Sequence, residues 1–236
     1  IVDGKKLAFD DYEFNSDETK ILLLTNVESI YRRSYQAVYY LYDLSTQKLT
    51  PLDPAHSPQT LAEYSPDGKK VSFIHGNDLY VKTISSGKVE KLTLDGKRNK
   101  IINGTTDWVY EEEFGTQDGF RWSPDGNKIA YWKLDARGTK NFLMINNTDS
   151  LYSFTIPVEY PKVGENPSGC CIWFYDLASK SSKKADIAGD EMQNYIPRME
   201  WVLDSKSVIL QQLNRKQNQS KIIVADAASG SSKTIY

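Results

Sequence analysis

Three consecutive glutamates, Glu111, Glu112 and Glu113, follow the aromatic segment "TDWVY". Successive side chains of a strand point to opposite faces, whereas successive helical side chains are turned by about 100°, so one helical turn lets two carboxylates converge. Two converging carboxylates repel each other unless a cation lies between them. An ammonium group, with its three donors, suits such a pair, whereas calcium needs more oxygen ligands than this segment supplies. The triplet therefore predicts an ammonium-binding turn, and a solvated acidic turn is the alternative.

A short helical turn over residues 105–114 must position these carboxylates. Asp107 stands near its start, where the positive end of a helix favours an acidic side chain. Trp108, Val109 and Tyr110 precede the glutamates and are apolar enough to anchor the turn against a larger body. We therefore expect the charged residues to be held by the aromatic ones.

Other reactive residue types are few. Cys170 and Cys171 are adjacent, which disfavours a disulfide between them, so we interpret them as small hydrophobic residues of a strand. The two histidines, His56 and His75, have no evident serine and aspartate partners, and no Gly-x-Ser-x-Gly segment occurs. We expect no catalytic residue, no metal site and no cofactor in this chain.

Four copies of one pattern supply the framework for the helical turn. Each copy is an aromatic residue, a polar turn and an apolar strand: "FNSDETKILLL", "YSPDGKKVSFI", "WSPDGNKIAYW" and "WVLDSKSVILQ". In each copy we expect a second strand later in the chain, which a turn separates from a third. Asp67 and Asp125 lie in the two "SPDG" turns, where Asp followed by Gly is ordinary turn chemistry, so a metal role is the weaker interpretation.

Short strands, sparse helical periodicity and an uneven repeat spacing favour antiparallel blades over a solenoid. The fold class predicted is all-β, a partial β-propeller of about four blades, with residues 1–236 forming part of one domain. Residues 135–170 form an extension between strands. Four blades are fewer than most closed rings contain, so we expect the exposed edges to be covered by further blades or by copies of this chain.

The composition limits the classes of partner that the chain is expected to bind. The 236 residues carry a formal net charge of −2, and no basic stripe is interleaved with aromatics, so nucleic acid is not an expected partner. No run of about eighteen apolar residues occurs. The chain begins at Ile1 without an initiator methionine, so we expect a truncated N-terminus, from which an upstream signal or anchor could have been lost, and the sequence alone leaves the localisation open.

The block "NGTTDWVYEEEF", followed by "SPDGNKIAYW" and "PVEYPKVGENP", resembles the N-terminal propeller of the dipeptidyl peptidase IV family of prolyl-oligopeptidase-like serine exopeptidases. The resemblance implies an eight-bladed ring that caps a C-terminal α/β-hydrolase domain, which is absent from this chain. It also implies that Glu112 and Glu113 bind the substrate's N-terminal ammonium, while Glu111 is structural. The matching segment "RRSYQAVYYLYDL" places Arg32 against a substrate carbonyl, with Arg33 as the competing choice.

The resemblance thus predicts a substrate-recognition and gating propeller of an enzyme that removes N-terminal Xaa-Pro or Xaa-Ala dipeptides. Its expected partners are a peptide with a free N-terminus and the hydrolase domain, and a homodimer is left open. By resemblance, the protein would be periplasmic, at the cell surface or membrane-associated. The alternative is a binding propeller without enzymatic activity, either an inert family member, because the family includes members that have lost peptidase activity, or a protein-interaction platform. Phe114, where a smaller aliphatic residue is common, is a departure from the family pattern.

Overall fold

A computed structural model describes residues 6–236, which form four successive antiparallel sheets and one two-stranded ribbon. Blade 1 contains β1 (Asp11–Phe14), β2 (Lys20–Ser29), β3 (Tyr35–Asp43) and β4 (Lys48–Pro51). Blade 2 contains β5 (Thr60–Tyr64), β6 (Lys70–His75), β7 (Asp78–Thr83) and β8 (Val89–Lys91), and a 3₁₀ turn at Pro54–His56 precedes it. In both blades the strands pair in chain order.

Blades 3 and 4 follow the same plan, with insertions in blade 3. Blade 3 contains β9 (Ile101–Asn103), β10 (Phe120–Trp122), β11 (Lys128–Asp135), β14 (Gly169–Asp176) and β15 (Ser181–Lys184). The insertions are the helix α1 (Trp108–Phe114) and the hairpin β12 (Asn141–Asn146) and β13 (Phe154–Glu159). Blade 4 contains β16 (Asn194–Trp201), β17 (Ser207–Asn214), β18 (Ser220–Asp226) and β19 (Ser232–Thr234). The all-β, partial propeller fold predicted from the repeats is confirmed.

Each repeat contains a first strand that the sequence pattern does not indicate, and blade 3 also contains β9. The aromatic residue that opens each copy is the last residue of this first strand: Phe14, Tyr64, Trp122 and Trp201. Two of these strands, β5 and β16, carry a register shift against their neighbour, and β10 has only three residues. A short or bulged strand does not maintain the two-residue alternation that identifies strands in a sequence, which is why the pattern missed it.

The polar turns of the repeats share one backbone geometry. In the second and third blades, Asp67 and Asp125 each accept a bond from the serine two residues earlier, at 2.6 Å, and the next residue is a glycine with φ of 66° or 67°. In the outer copies, Glu18 and Ser205 take the same left-handed conformation with φ of 56° and 55°. Glycine adopts this region without strain, so the two outer copies have a conformational cost in the backbone that the "SPDG" copies avoid.

Apolar side chains on alternating strand positions hold neighbouring blades together. In β6, Val71 and Phe73 belong to the cluster shared with blade 1, whereas Ile74 belongs to the cluster shared with blade 3. In β11, Ile129 contributes to the cluster with blade 2, whereas Trp132 contributes to the cluster with blade 4. The inner blades are therefore apolar on both faces, which is the pattern of a sheet covered on both sides.

The outer face of blade 1 has no covering layer among the described residues. Tyr12 and Phe14 of β1 are 54% and 44% exposed, and together with Phe9 they line an open apolar cavity of about 570 Å³. An exposed apolar patch of this kind marks a contact surface. A partial propeller exposes a surface of this kind at the end where a further blade would pack.

Helix α1 and the hairpin lie at the same end of the blades as the β2–β3 and β6–β7 connections. The Asn103 N–H donates to the Asn77 carbonyl in the β6–β7 turn (3.1 Å), and α1 contacts the β2–β3 connection through Glu111. The "SPDG" turns lie at the opposite end, where the Asp125 N–H donates to Ser205 Oγ of blade 4 (3.1 Å). In the described part of the chain, no helix is long and apolar enough to cross a membrane.

Candidate functional site

Helix α1 begins and ends at well-formed caps. The Asp107 side chain accepts from the Tyr110 N–H (3.0 Å). Gly115, with φ of 65°, donates its N–H to the Glu111 carbonyl (3.1 Å), and the Thr116 N–H donates to the Tyr110 carbonyl (3.0 Å). An aspartate at the N-cap and a left-handed glycine at the C-cap satisfy groups that a helix end otherwise leaves unpaired. Burial raises the pKa of the Asp107 carboxyl, so its ionised form is costly at this cap.

Aromatic side chains fix the helix between blades 3 and 4. The buried Tyr110 hydroxyl accepts from the Ile196 N–H (3.0 Å), so α1 is attached to the first strand of blade 4. The Trp108 ring lies 4.4 Å from the Tyr160 ring, which follows β13. A seven-residue helix is marginal in isolation, so these contacts are what hold the glutamates in place.

The three glutamates face three environments. Glu111 is buried, the Glu112 side chain is 18% exposed, and Glu113 is exposed to solvent. This divergence follows from the rotation between successive helical residues. Glu112 and Glu113 lie in the last turn of α1, where the carbonyl end of the helix carries partial negative charge and no basic residue of the helix compensates it. The combined field at this helix end favours a cation.

Glu111 binds the connection that carries the two arginines. Its Oε1 accepts from the backbone N–H groups of Arg33 (2.7 Å) and Ser34 (3.1 Å), between β2 and β3. Hydrogen bonds to a carboxylate are stronger than those between neutral groups. The buried glutamate therefore joins the helix to the arginine-bearing connection of blade 1, across almost eighty residues of sequence.

Arg32 and Glu112 form an ion pair at the surface. Arg32 Nε lies 3.1 Å from Glu112 Oε1, and the Arg32 side chain is 74% exposed. An exposed pair of this kind stabilises a fold by about 1 kcal/mol or less, so its main effect is to set the orientation of both groups. The Arg33 guanidinium has no hydrogen bond or ion pair to a residue of the described range. Of the residues predicted from the sequence, the structure thus pairs Arg32 with Glu112 and leaves Glu113 in solvent.

Sequence reasoning missed a third arginine at the helix end. Arg198 of β16 donates through Nη1 to the Phe114 carbonyl (2.9 Å), to Thr116 Oγ1 (3.2 Å) and to the Pro197 carbonyl (2.7 Å). Its cationic group thus binds the carbonyl end of α1, where positive charge is favoured. Phe114 packs against the Tyr195 ring at 5.1 Å, so the larger residue at this position is accommodated by blade 4. No sequence signal marks Arg198, because its partners at the helix end, Phe114 and Thr116, lie in an insertion of another blade.

A groove opens beside the helix, bordered by the β2–β3 connection and by β13. It has a volume of about 470 Å³, and its lining includes Tyr31 and Glu159. Burial, followed by the nearby Glu159 and Asp107 carboxylates, raises the pKa of the Tyr31 hydroxyl, so Tyr31 remains neutral. Glu159 accepts from the Asn99 N–H (2.7 Å), a bond that fixes the base of the hairpin. Among the described residues that line the groove, no nucleophile is paired with a base.

The histidines and cysteines have structural surroundings. His56 Nδ1 lies 2.6 Å from Asp53 Oδ2, and His75 Nδ1 lies 2.8 Å from the Pro58 carbonyl oxygen. Both cysteines are free thiols of β14, and burial raises the pKa of Cys171 to about 11. Among residues 6–236, no group of three or more His, Cys, Asp or Glu side chains has an arrangement that could hold a metal ion.

The fold and the site define a class of protein: a partial β-propeller in which a capped, glutamate-bearing helix packs between two blades and contacts an arginine-bearing connection of another. The family model described as the dipeptidyl peptidase IV (DPP IV) N-terminal region matches residues 15–236. The chain therefore belongs to the dipeptidyl peptidase IV family.

Individual relatives agree with this assignment. A protein named "probable dipeptidyl peptidase 4" from Trichophyton verrucosum is 34% identical over 95% of this chain and 31% of its own length. A "probable dipeptidyl-aminopeptidase B" from Chaetomium globosum is 29% identical over 93% of this chain and 25% of its own length. The crystal structure of Porphyromonas gingivalis dipeptidyl peptidase 4 superposes with a TM-score of 0.91 at 33% identity, covering 96% of this chain and 32% of that one. The chain thus spans less than a third of the length of each of these proteins.

Proposed function

We propose that this chain is the substrate-recognition and gating propeller of a dipeptidyl peptidase IV-like serine exopeptidase, which removes N-terminal Xaa-Pro and Xaa-Ala dipeptides. The observation that carries the proposal is the Arg32–Glu112 ion pair, with Glu113 exposed beside it at the carbonyl end of α1. Family membership and the names of the relatives support the peptidase part. Catalysis would belong to a C-terminal α/β-hydrolase domain of the same protein.

The chemistry of the helix end fits a peptide with a free N-terminus. The ammonium group of such a peptide brings a full positive charge and three donors to Glu112 and Glu113. In Arg32, Nε bonds Glu112, so the two terminal nitrogens of its fork can donate to a substrate carbonyl. Fixing both ends of the first residue places the peptide relative to the hydrolase domain, and such positioning accelerates a reaction.

The experiment compares free and blocked substrates on the full-length parent protein. We expect cleavage of Gly-Pro-p-nitroanilide and loss of cleavage for its N-acetylated form, because acetylation removes the ammonium charge. Glu112→Gln and Glu113→Gln should each lower kcat/KM by tenfold or more, an effect of about 1.4 kcal/mol. Glu200→Gln, at an exposed glutamate that pairs with Arg121, is the matched control. Equal cleavage of the acetylated substrate, or unchanged kinetics in both variants, would refute the proposal.

A binding propeller without enzymatic activity is the second candidate, because nothing in α1 requires catalysis. The two candidates differ in the remainder of the parent protein. A Gly-x-Ser-x-Gly segment followed by Asp and His in that order supports the peptidase. A parent protein without this order, which binds peptides and cleaves none, would establish the second candidate.

The proposed homodimer would use the hairpin β12–β13. Its two strands pair only with each other among the described residues, and they expose Leu143 (57%), Met144 (52%) and Ile145 (67%). A two-stranded hairpin is marginal alone, and a long exposed apolar strand favours pairing with another chain. Light scattering after size-exclusion chromatography should show a dimer for the parent and a monomer for Ile145→Lys. A parent that is monomeric at micromolar concentration would contradict this arrangement.

A further inference from the structure

The guanidinium of Arg33 lies at the end of helix α1. Its Nη1 stands 3.7 Å from the point that a Cβ on Gly115 would occupy, two residues beyond Glu113. Arg33 is exposed, and within residues 6–236 its side chain makes no hydrogen bond or ion pair. Its backbone N–H is fixed by Glu111 at 2.7 Å, so the base of the side chain is held while its charged end is free.

The neighbouring arginines differ from Arg33 in this respect. Arg32 is paired with Glu112, and Arg198 donates to three fixed acceptors at the Phe114 end of the helix. Among the described residues, Arg33 is therefore the arginine at this helix end whose five side-chain donors remain unused. Planar guanidinium groups match carboxylates, which they bind through two parallel hydrogen bonds.

The position of Arg33 relative to the glutamates indicates what it would bind. If a substrate ammonium lies against Glu112 and Glu113, the side chain of that first substrate residue branches from the Cα that is bonded to the ammonium nitrogen. The carboxylate of a first-position aspartate or glutamate would then lie within about 4–6 Å of the ammonium, on bond-length grounds. Arg33, whose guanidinium lies close to Gly115, is near the position that this carboxylate would occupy.

From these contacts we infer that Arg33 determines specificity at the first substrate residue, and that the enzyme favours an acidic side chain there. The inference rests on the proposed function, because the ammonium must be bound at Glu112 and Glu113 for the geometry to hold. Without Arg33, the two glutamates would repel an acidic first residue. For substrates with an acidic first residue, the positive charge of Arg33 thus offsets the repulsion from Glu112 and Glu113, the same glutamates that bind the N-terminal ammonium.

The test uses the full-length parent protein and two substrates of equal shape, Glu-Pro-p-nitroanilide and Gln-Pro-p-nitroanilide, with Gly-Pro-p-nitroanilide as reference. In the wild type, kcat/KM for Glu-Pro should exceed that for Gln-Pro about threefold, the range of a solvent-exposed ion pair. In Arg33→Ala the ratio should fall to one or below, and Arg33→Lys should retain part of it. Because salt screens an exposed ion pair, 0.5 M NaCl should also reduce the wild-type ratio of kcat/KM for Glu-Pro to that for Gln-Pro.

Arg137→Ala is the control variant, because Arg137 is an exposed arginine that pairs with Asp135 outside the site, and it should leave the ratio unchanged. An equal Glu-Pro to Gln-Pro ratio in wild type and Arg33→Ala, with Gly-Pro still cleaved, would overturn the inference and leave the proposed function intact. If the wild type cleaves none of the three substrates, the proposed function fails first. The two failures are therefore distinguishable.

Discussion

Glu111 Oε1 accepts the backbone N–H of Arg33 at 2.7 Å, so a buried side chain of helix α1 fixes a connection of a different blade. The same oxygen accepts the Ser34 N–H at 3.1 Å. Because Arg32 directly precedes these two residues, its position depends on a glutamate that is only 1% exposed.

Glu111→Ala should weaken substrate binding without removing any group that contacts the substrate. The change leaves two backbone N–H groups without their acceptor, at a cost of about 1–3 kcal/mol each where they stay buried. We expect KM for Gly-Pro-p-nitroanilide to rise, and the further effect of Arg32→Ala to be smaller than in the wild type. Glu111→Gln, which retains an acceptor oxygen, should have a milder effect. Full additivity of Glu111→Ala and Arg32→Ala would contradict the coupling.

The Arg32–Glu112 pair should matter far more for kinetics than for stability. A double-mutant cycle with Arg32→Ala and Glu112→Gln, measured by thermal unfolding of the parent protein, reports the coupling energy of the pair. We expect a coupling energy of about 1 kcal/mol or less, because the pair is exposed. The same variants should each lower kcat/KM by tenfold or more, about 1.4 kcal/mol. A stability coupling of several kcal/mol would mean that the pair is structural instead.

The repeats predicted the all-β partial propeller, and the turns within them could be predicted because turn chemistry is local. The "SPDG" segments indicated turns because Asp67 and Gly68 suit that backbone whatever surrounds them, and Asp107 indicated a helix start for the same reason. The bulged first strands were missed because their alternation is broken. The partners of Glu111, and the partners of Arg198 at the helix end, lie 77 to 84 residues away, so no local pattern encodes these contacts. The roles of Glu112, Glu113 and Arg32 remain predictions.

Tyr110→Phe should destabilise the contact between α1 and blade 4. The substitution keeps the ring and removes the oxygen that accepts the Ile196 N–H, which then stays buried without a partner. We expect a loss of about 1–2 kcal/mol in the free energy of unfolding. Hydrogen exchange of the Ile196 amide should accelerate as well. Tyr152→Phe, at an exposed hairpin tyrosine, is the matched control, and equal effects of the two changes would contradict the assignment.

Asp107 predicts a pH-dependent effect on stability. Burial raises the pKa of its carboxyl, so the folded state holds the proton more tightly than the unfolded state. As pH rises from the ordinary aspartate range of about 4 through the raised pKa, ionisation therefore costs the folded protein increasing stability. Asparagine keeps the capping oxygen and carries no charge. The Tm of Asp107→Asn minus that of the wild type should thus be more positive at pH 8.5 than at pH 4.

Two further variants separate the charge of Asp107 from its capping bond. Asp107→Ala loses the bond to the Tyr110 N–H and should be less stable than Asp107→Asn by about 1 kcal/mol at either pH. Asp149, in the hairpin, has a pKa lowered by hydrogen bonds from Asn146 and Thr148, so its contribution to stability is lost as pH falls through the ordinary aspartate range of about 4. The Tm difference for Asp149→Asn should therefore change in the opposite direction, becoming more negative from pH 4 to pH 8.5. If the Asp107→Asn difference does not rise between these two pH values, the buried carboxylate is not penalised by its surroundings, and the capping bond alone accounts for its presence.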